Sequence, residues 1–277
     1  MKWLVTGAAG MVGTDLRIEL ESRGEEVVAL AKSDLDITNR DDVVRFVDDV
    51  RPDVIVNCAA YTKVDLAETE ESLANAINGS AVEFLADAAN RAGARLVQLS
   101  SDFVFDGTSR RPYDINDATA PLSAYGRSKL IGEHAAANQT IVRTSWLFGV
   151  HGPNFVEAIR NQIRKGTNPL RVVDDQRGRP TYTPHLARAI IRIANLGASG
   201  IVHYADEGEC TWYDFACAIN EELGSMVNVE PVTSEQFVRP AKRPAYSVLS
   251  TERYERLTGV KPEWWKDGLR EYLQLRA

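Results

Sequence analysis

A glycine-rich turn near the N-terminus constrains the fold of this chain more than any other feature. The segment Gly7-Ala8-Ala9-Gly10-Met11-Val12-Gly13 follows a short apolar run and precedes a stretch with helically spaced apolar residues. Glycines in this context permit a tight strand-to-helix turn and let the backbone approach a pyrophosphate, which the helix N-terminus can bind. The turn therefore predicts a dinucleotide-binding βα unit. A tight turn without a ligand is the alternative.

Beyond this turn, the first 150 residues alternate short apolar runs with helical patterns. The predicted strands cover residues 3–5, 27–30, 54–56, 96–99 and 140–142, and the predicted helices cover residues 11–23, 41–50, 72–92 and 125–137. Such alternation indicates parallel βαβ units, and strands that are apolar throughout indicate a sheet covered on both faces. The sequence therefore predicts an α/β fold with a Rossmann-type, doubly wound parallel sheet.

The pattern loosens after residue 150, where we expect a smaller substrate-binding lobe. Helices are predicted over residues 155–165, 184–196 and 211–223, the last with Thr211 and Asp214 as a capping box. The apolar run 201–204 is expected to return to the sheet, and the proline-rich stretch 238–246 to form a loop. We therefore expect a dinucleotide-binding core over residues 1–150, rejoined by a segment near 182–205. Residues 151–277 should form mainly the lobe.

Composition narrows the classes of function. The chain of 277 residues has a net charge of -7, whereas a phosphate-tracking nucleic-acid binder normally presents a basic face. Its three cysteines lack zinc-binding or C-x-x-C spacing, which suits a reducing cytosol. The first residues do not resemble a signal peptide, and no run approaches the ~18 apolar residues of a membrane span. We therefore expect a cytoplasmic protein that binds neither nucleic acid nor membrane.

Three residues form a candidate catalytic group. Tyr125 and Lys129 are four residues apart at the start of a predicted helix, so that both side chains share one face. The lysine ammonium is expected to lower the pKa of the tyrosine, which then donates a proton to a carbonyl oxygen as hydride reaches the carbon. Ser101 follows a predicted strand, where open α/β sheets bind ligands, although a turn-capping serine is the alternative. Together they predict a nicotinamide-dependent ketone reductase.

The end of the second predicted strand bears on the choice of cofactor. NAD-binding folds usually place an acidic residue there for the ribose hydroxyls, whereas this strand ends in Leu30-Ala31-Lys32. Lys32 suits a 2′-phosphate, so the sequence favours NADPH, with NADH as the alternative. A solvated Lys32 is nearly as good an interpretation, and Asp34 or Asp36 could still reach the ribose.

These residues resemble the extended short-chain dehydrogenase/reductase family, and in particular its dTDP-4-dehydrorhamnose reductase branch. The resemblance covers nearly the whole chain and rests on residues 58–65, 100–107, 125–129, 143–146, 154–155, 175–181 and 243–244. It implies reduction of the C4 ketone of dTDP-4-dehydro-β-L-rhamnose to dTDP-L-rhamnose, with Ser101, Tyr125 and Lys129 as catalytic residues. The alternatives are reduction of a related dTDP-4-keto-6-deoxysugar and a non-catalytic, NADP-binding regulatory subunit.

The resemblance also implies binding roles for individual residues. Cofactor contacts would come from Gly7, Gly10, Met11, Val12, Asp36, Ile37, Ala59, Ala60, Thr62, Tyr125 and Lys129, with Lys32 added by the argument above. The dTDP-sugar would be held by Ser101, Asp102, Trp146, Asn154, Phe155 and Arg243. Trp146 and Phe155 fit equally well as core aromatics, and Arg243 as a surface charge.

Three departures from the family pattern accompany these roles. Ser101 replaces the usual threonine and keeps its hydroxyl, whereas Phe103 replaces a tyrosine and loses one. Asp15 stands where some members bind an interface magnesium ion through a glutamate, so no metal is predicted. The four histidines show no metal or triad spacing and receive no role. A homodimer is an arrangement that the sequence leaves open.

Overall fold

The computed structural model of the chain describes residues 1–276. Its strands are β1 (Lys2–Thr6), β2 (Glu26–Leu30), β3 (Val54–Asn57), β4 (Arg95–Ser101), β5 (Thr140–Thr144), β6 (Leu147–Phe148), β7 (Leu170–Val173), β8 (Arg177–Gly178), β9 (Thr181–Tyr182), β10 (Gly200–His203), β11 (Cys210–Thr211) and β12 (Val229–Val232). Its α-helices are α1 (Met11–Ser22), α2 (Arg40–Val50), α3 (Glu71–Asn75), α4 (Ala81–Ala92), α5 (Ala124–Ala135), α6 (Phe155–Arg164), α7 (Thr183–Asn195), α8 (Trp212–Glu222), α9 (Glu252–Thr258) and α10 (Trp265–Leu275). A π-helical turn, Ala76–Ser80, joins α3 to α4.

A six-stranded parallel sheet forms the centre of the molecule, in the order β10-β5-β4-β3-β1-β2. From β1 the chain moves to β2 on one side, and the next crossover leads to β3 on the other side. The strand order therefore reverses at β1, and open α/β sheets bind ligands at the carboxyl ends of the strands beside such a reversal. The predicted Rossmann-type, doubly wound parallel fold is confirmed.

Side chains of β1 alternate between two hydrophobic layers. Trp3 and Val5 pack with α1 and α7 on one face, whereas Leu4 packs with α2 and α4 on the other. This alternation follows from the two-residue period of a strand, and both layers are buried because helices cover both faces. The sheet can therefore hold its carboxyl edge rigidly.

A third hydrophobic cluster lies apart from the sheet, and we call the elements packed around it the lobe. It joins α6, α8 and α10 with the parallel pair of β7 and β12, around fully buried side chains such as Phe148 and Phe215. The capping box predicted for α8 is present: Thr211 Oγ1 accepts from Asp214 N at 3.0 Å, and Asp214 Oδ2 accepts from Thr211 N at 2.9 Å. No helix within residues 1–276 combines the length and apolar character needed to cross a membrane.

The chain passes between the sheet and the lobe more than once. After α6 and β7 have entered the lobe, α7 packs on α1, and β10 pairs with β5 as the edge strand of the sheet. Helix α9 then packs on α7 and β10, whereas α10 belongs to the lobe. The boundary expected near residue 150 stays a prediction.

Candidate active site

The glycine turn between β1 and α1 is packed too closely to accept side chains. Gly7 has φ +64°, and a Cβ there would lie 2.5 Å from Ala59 N. A Cβ on Gly13 would overlap the Gly7 carbonyl oxygen, so α1 rests directly on the turn. Gly10 is the N-cap of α1, and the first helical turn, Met11-Val12-Gly13-Thr14, contains no acidic side chain. The N–H groups of Met11, Val12 and Gly13, which have no backbone partner in the described part of the chain, and the positive end of the helix dipole therefore fit a pyrophosphate.

Buried polar side chains join the ends of three neighbouring strands. Thr6 Oγ1 donates to Asn57 Oδ1 at 2.6 Å, and Asn57 Nδ2 donates to Gln98 Oε1 at 2.7 Å. Asn57 Oδ1 also accepts from Ala59 N at 3.2 Å, which fixes the chain after β3. The structure thus brings the glycine turn and the predicted nicotinamide segment, Ala59 to Thr62, to the same edge of the sheet.

The residues predicted near the adenosine lie beyond β2. Lys32 is exposed, whereas Ile37 is buried in the layer that contains α2. Asp36 Oδ1 accepts from Thr38 N at 3.0 Å and from Thr38 Oγ1 at 2.7 Å, and these bonds lower the pKa of Asp36. The carboxylate is ionised and partly engaged, so its role toward the cofactor, like that of Lys32, stays a prediction.

Ser101 and α5 meet at the carboxyl end of β4. Ser101 is the last residue of β4, and its hydroxyl donates to Asp102 Oδ1 at 3.0 Å and accepts from Phe103 N at 3.2 Å. Ser123 caps α5 by accepting from Gly126 N at 3.2 Å. A Cβ on Gly126 would overlap the Phe103 carbonyl oxygen, so only glycine lets the start of α5 approach this closely. Tyr125 is thereby placed at the end of β4.

Burial shifts the pKa of Tyr125 further above neutral pH. It raises the pKa of the phenol to about 12, which the Ser101 hydroxyl opposes and the Asp102 charge reinforces. Lys129 was expected to lower this pKa, but it is not among the groups that shift it, and burial makes the net shift upward. The phenol therefore stays protonated at neutral pH, as a proton donor must. The Phe103 ring meets Tyr125 edge-on, with centroids 5.5 Å apart.

Lys129 is buried one helical turn beyond Tyr125. Its Nζ donates to Leu99 O at 2.7 Å, and burial lowers the pKa of the amine to about 8, which the Glu133 charge partly counters. Glu133 accepts from Arg143 Nε at 2.8 Å and from Arg143 Nη2 at 2.6 Å. The sequence gives no sign of this buried ion pair, because its partners come from different elements.

Asp102 is a buried carboxyl group beside the catalytic hydroxyl. Burial raises its pKa to about 6, although the nearby Ser247 and Ser101 hydroxyls oppose the shift. Its Oδ2 has no hydrogen-bond partner within residues 1–276. An unpaired acceptor at this depth is costly, so Asp102 is poised to hold a proton or a ligand hydroxyl.

Three aromatic side chains form a shelf on the lobe, which we call the aromatic shelf: Trp146, Phe155 and Trp212. The Trp146 and Trp212 rings are stacked with centroids 3.6 Å apart, and Phe155 lies 4.6 Å from Trp212. Trp146 has φ +47°, and a Cβ on Gly178 would overlap its ring. Such backbone strain is typical of functional sites. Trp212 was not among the site residues predicted from the sequence.

The other two predicted substrate residues already have partners within the protein. Asn154 caps α6 by accepting from Glu157 N at 3.1 Å, and its amide donates to Gly149 O at 2.8 Å and Gly152 O at 3.1 Å. Arg243 forms a two-point ion pair with Asp65. Their roles toward a ligand stay predictions.

Acidic side chains lie beside histidines, which are possible metal ligands, at two places. Asp15 is buried and accepts from Thr183 Oγ1 at 2.5 Å, with His151 Nε2 at 3.4 Å. Within residues 1–276, one group has the proximity of metal ligands: His185, Asp206 and Glu263. His185 Nδ1 lies 2.8 Å from Asp206 Oδ2, and Glu263 accepts from Tyr204 at 2.9 Å, so each of these side chains has a partner within the protein.

Together, the glycine turn at the strand reversal and the Ser101, Tyr125 and Lys129 group define a Rossmann-fold oxidoreductase of the extended short-chain dehydrogenase/reductase class. The family described as the RmlD substrate binding domain matches residues 1–277. A dTDP-4-dehydrorhamnose reductase from Streptomyces griseus is 43% identical over 98% of this chain and 92% of its own length. The chain belongs to this reductase family, which confirms the predicted resemblance.

Two further relatives bear on substrate and cofactor. A dTDP-4-keto-6-deoxy-D-glucose reductase from Streptomyces niveus is 45% identical over 94% of this chain and 92% of its own length. The crystal structure of a dTDP-4-dehydrorhamnose reductase from Bacillus anthracis, in complex with NADP, has a TM-score of 0.95. It is 38% identical and covers 99% of both chains.

Proposed function

We propose that this protein uses NADPH to reduce the C4 ketone of dTDP-4-dehydro-β-L-rhamnose to dTDP-L-rhamnose. The observation that carries the proposal is the position of Tyr125 beside Ser101, at the sheet edge that also carries the glycine turn. The likeness to the Streptomyces griseus enzyme along nearly its full length supports the choice of substrate.

The residues at the glycine turn fit the nicotinamide cofactor, which supplies the hydride when bound. Gly7, Gly10 and the N–H groups of Met11 and Val12 would hold the pyrophosphate, because the turn is open to backbone approach and lacks a competing acid. The remaining cofactor contacts are proposed for Lys32, Asp36, Ile37, Ala59, Ala60 and Thr62. The NADP complex of the Bacillus anthracis relative supports NADPH over NADH.

The side chains at the end of β4 would complete the reaction. Ser101 turns its hydroxyl from Asp102 to the ketone oxygen, and Tyr125 transfers its phenolic proton to the same oxygen as the carbon accepts hydride. Lys129 stabilises the phenolate that remains, since its ammonium lies one turn away on the same face. One hydride and one proton thus convert the ketone to an alcohol.

The dTDP part of the substrate is assigned to the lobe. The rings of the aromatic shelf offer flat apolar surfaces for the sugar or the base. Arg243 suits the diphosphate, because a guanidinium binds two oxygens at once. Asn154 and Asp102 would contact the sugar. The division into core and lobe, the cytoplasmic location and a homodimer remain predictions.

Consumption of NADPH and of NADH with dTDP-4-dehydrorhamnose and a panel of related ketosugars tests this function. We expect the highest kcat/KM with NADPH and dTDP-4-dehydrorhamnose. Comparable rates across the panel would leave only the class of reaction. A protein that binds NADPH but consumes none with any of these sugars would be the regulatory subunit rather than the enzyme.

A second candidate substrate is another dTDP-4-keto-6-deoxysugar. The Streptomyces niveus relative, whose name specifies dTDP-4-keto-6-deoxy-D-glucose, is 45% identical to this chain, slightly more than the rhamnose enzyme from Streptomyces griseus. The chemistry at Tyr125 would be unchanged, and only contacts from the lobe would differ. The same panel decides between them by the sugar with the highest kcat/KM.

A further inference from the structure

Residues 233–246, which we call the strap, connect the lobe to the core. At the lobe end, Asp175 accepts from Ser234 N at 2.8 Å and from Ser234 Oγ at 2.6 Å. At the core end, Pro244 lies against Gly107, where φ is +77° and a Cβ would lie 2.6 Å from Pro244 Cα. The strap is therefore fixed at both ends, and Arg243 lies on its core end.

Asp65 holds this end of the strap through three hydrogen bonds. Arg243 Nη1 donates to Asp65 Oδ1 at 3.0 Å, Arg243 Nη2 donates to Asp65 Oδ2 at 3.0 Å, and Ala241 N donates to Oδ1 at 3.3 Å. Burial opposes ionisation of Asp65, but the Arg243 guanidinium keeps its pKa below the usual value. Asp65 is therefore ionised at neutral pH.

The geometry of the pair leaves one edge of the guanidinium available. A guanidinium has five N–H donors, of which Asp65 takes two and the Ala241 carbonyl takes one from Nη1 at 3.0 Å. The remaining donors, on Nε and Nη2, point the same way and form the fork that binds two oxygens of a carboxylate or phosphate. No acceptor within residues 1–276 bonds to Nε, and 23% of the Arg243 side chain is exposed.

The charge around Asp65 also favours an anion. Arg239 Nη1 lies 3.8 Å from Asp65 Oδ2, so one carboxylate faces two guanidinium groups. A net positive charge therefore remains at this end of the strap. This excess is independent of the hydrogen-bond geometry, and it stands out in a chain whose net charge is -7.

We propose that Asp65 is a positioning residue, which holds Arg243 with its available edge toward the diphosphate of the nucleotide-linked substrate. The inference rests on the proposed function, from which it takes the nucleoside diphosphate. Asp65 occupies the opposite edge, so it orients the guanidinium without competing for the ligand. Fixing a long side chain before binding reduces the entropy that binding would otherwise cost.

The first test compares Asp65→Asn with a matched control, Asp117→Asn. Asp117 likewise forms a two-point pair, with Arg111 at 2.9 and 2.8 Å, and accepts a backbone N–H from Asp114 at 2.7 Å. Calorimetry with the NADP-loaded protein measures binding of dTDP and of thymidine. We expect Asp65→Asn to weaken dTDP roughly tenfold and thymidine less than twofold, and Asp117→Asn to change neither.

Steady-state kinetics separates positioning from a structural role. For Asp65→Asn, KM for the dTDP-ketosugar should rise roughly tenfold, while kcat and KM for NADPH stay within about twofold. A merely structural residue would lower kcat and the melting temperature together. Unchanged dTDP affinity, or a parallel loss for thymidine, would overturn the inference.

A double-mutant cycle tests whether Asp65 acts through Arg243. Arg243→Ala should weaken dTDP binding, and adding Asp65→Asn to it should change the affinity no further. If the double variant bound dTDP roughly tenfold more weakly than Arg243→Ala alone, Asp65 would act independently of Arg243, and the positioning role would be contradicted. If the wild-type protein binds no dTDP and reduces no dTDP-ketosugar, the proposed function fails with it. If the wild type is active but Asp65→Asn binds dTDP as tightly as the wild type, the positioning role is excluded and the proposed function still holds.

Discussion

Tyr125 and Lys129 lie one helical turn apart, and burial moves their pKa values in opposite directions, to about 12 and about 8. At neutral pH the phenol of Tyr125 is neutral, and Lys129, one helical turn away, is still mainly an ammonium because its pKa of about 8 lies above 7. That combination suits reduction, since the phenol has a proton to give and the ammonium stabilises the phenolate that follows. The sequence could place the two residues on one face of a helix but not measure their burial.

Removal of the Tyr125 hydroxyl should stop proton transfer without disturbing cofactor binding. We expect Tyr125→Phe to lower kcat by roughly 10²–10⁴, the usual contribution of a positioned general acid. NADPH affinity, measured by calorimetry, should change less than about twofold. A variant that keeps more than about a tenth of the wild-type rate would exclude Tyr125 as the proton donor.

Asp102 should make stability depend on pH in the mildly acidic range. Its folded pKa of about 6 lies above the ordinary value of 3.8 for an aspartate, so between these values the folded state binds more protons than the unfolded state. The free energy of unfolding should therefore fall as pH rises from about 4 to about 6, by roughly 2–3 kcal/mol. Urea unfolding of wild type and Asp102→Asn at several pH values measures this. An equal pH dependence in both proteins would contradict it.

Helices and strands with clear periodicity were predictable from the sequence, and tertiary partners were not. Helix α1 and strand β4 lie where the apolar spacing placed them, whereas the helix predicted over residues 72–92 is interrupted by the π-helical turn Ala76–Ser80. The two-residue strands β6, β8, β9 and β11 carry too few residues for a period to show. Helices α9 and α10 were also missed.

Some features of the candidate site were likewise predictable from the sequence, and others were not. The glycine turn and the Tyr125 and Lys129 pair are local patterns, so the sequence revealed them. The ion pair of Asp65 and Arg243 joins residues 178 positions apart, and Trp212 stacks on Trp146 from a different element. No short sequence pattern could predict either contact, because each depends on how separate elements pack.

The turn between β1 and α1 should be sensitive to a single methyl group. Gly7→Ala would bring a Cβ to 2.5 Å from Ala59 N, whereas Gly24→Ala, at a similar φ of +71°, meets nothing within 4 Å. We expect Gly7→Ala to reduce NADPH affinity at least roughly tenfold, because the turn must move away from Ala59. Gly24→Ala should cost only about 1–2 kcal/mol of stability.

Calorimetric titration with NADPH distinguishes the two variants, and urea unfolding reports their stability. Equal NADPH affinity in Gly7→Ala and wild type would show that the turn does not contact the cofactor. A loss of NADPH affinity in Gly24→Ala would mean that backbone strain far from the turn also weakens binding, so the effect of Gly7→Ala would not be specific to the turn.

At the scale of the whole molecule, the core and the lobe share one continuous chain path. Strand β10 and helix α9 return to the sheet, and the strap links Asp175 on the lobe to Asp65 on the core. Because each part depends on segments that pass through the other, we expect them to unfold together.

Thermal unfolding should therefore show one transition. Trp146, Trp212 and Trp265 belong to the lobe cluster and should dominate the fluorescence, whereas far-UV circular dichroism reports all helices. Both signals should give the same midpoint, and NADPH at about 100 times its Kd should stabilise both by about 2.7 kcal/mol. Two separate midpoints, with only one shifted by NADPH, would instead indicate independently folding parts.

Strand β10 belongs to the central sheet but comes late in the sequence, which limits the segments that can be exchanged with another reductase. A chimaera that transplants residues 151–277 from another reductase would replace an edge strand of the recipient's sheet as well as its substrate contacts. The foreign strand would have to match β5 in register, from Thr140 to Arg143. Changes of sugar preference should therefore be sought in shorter exchanges, confined to the strap and the aromatic shelf.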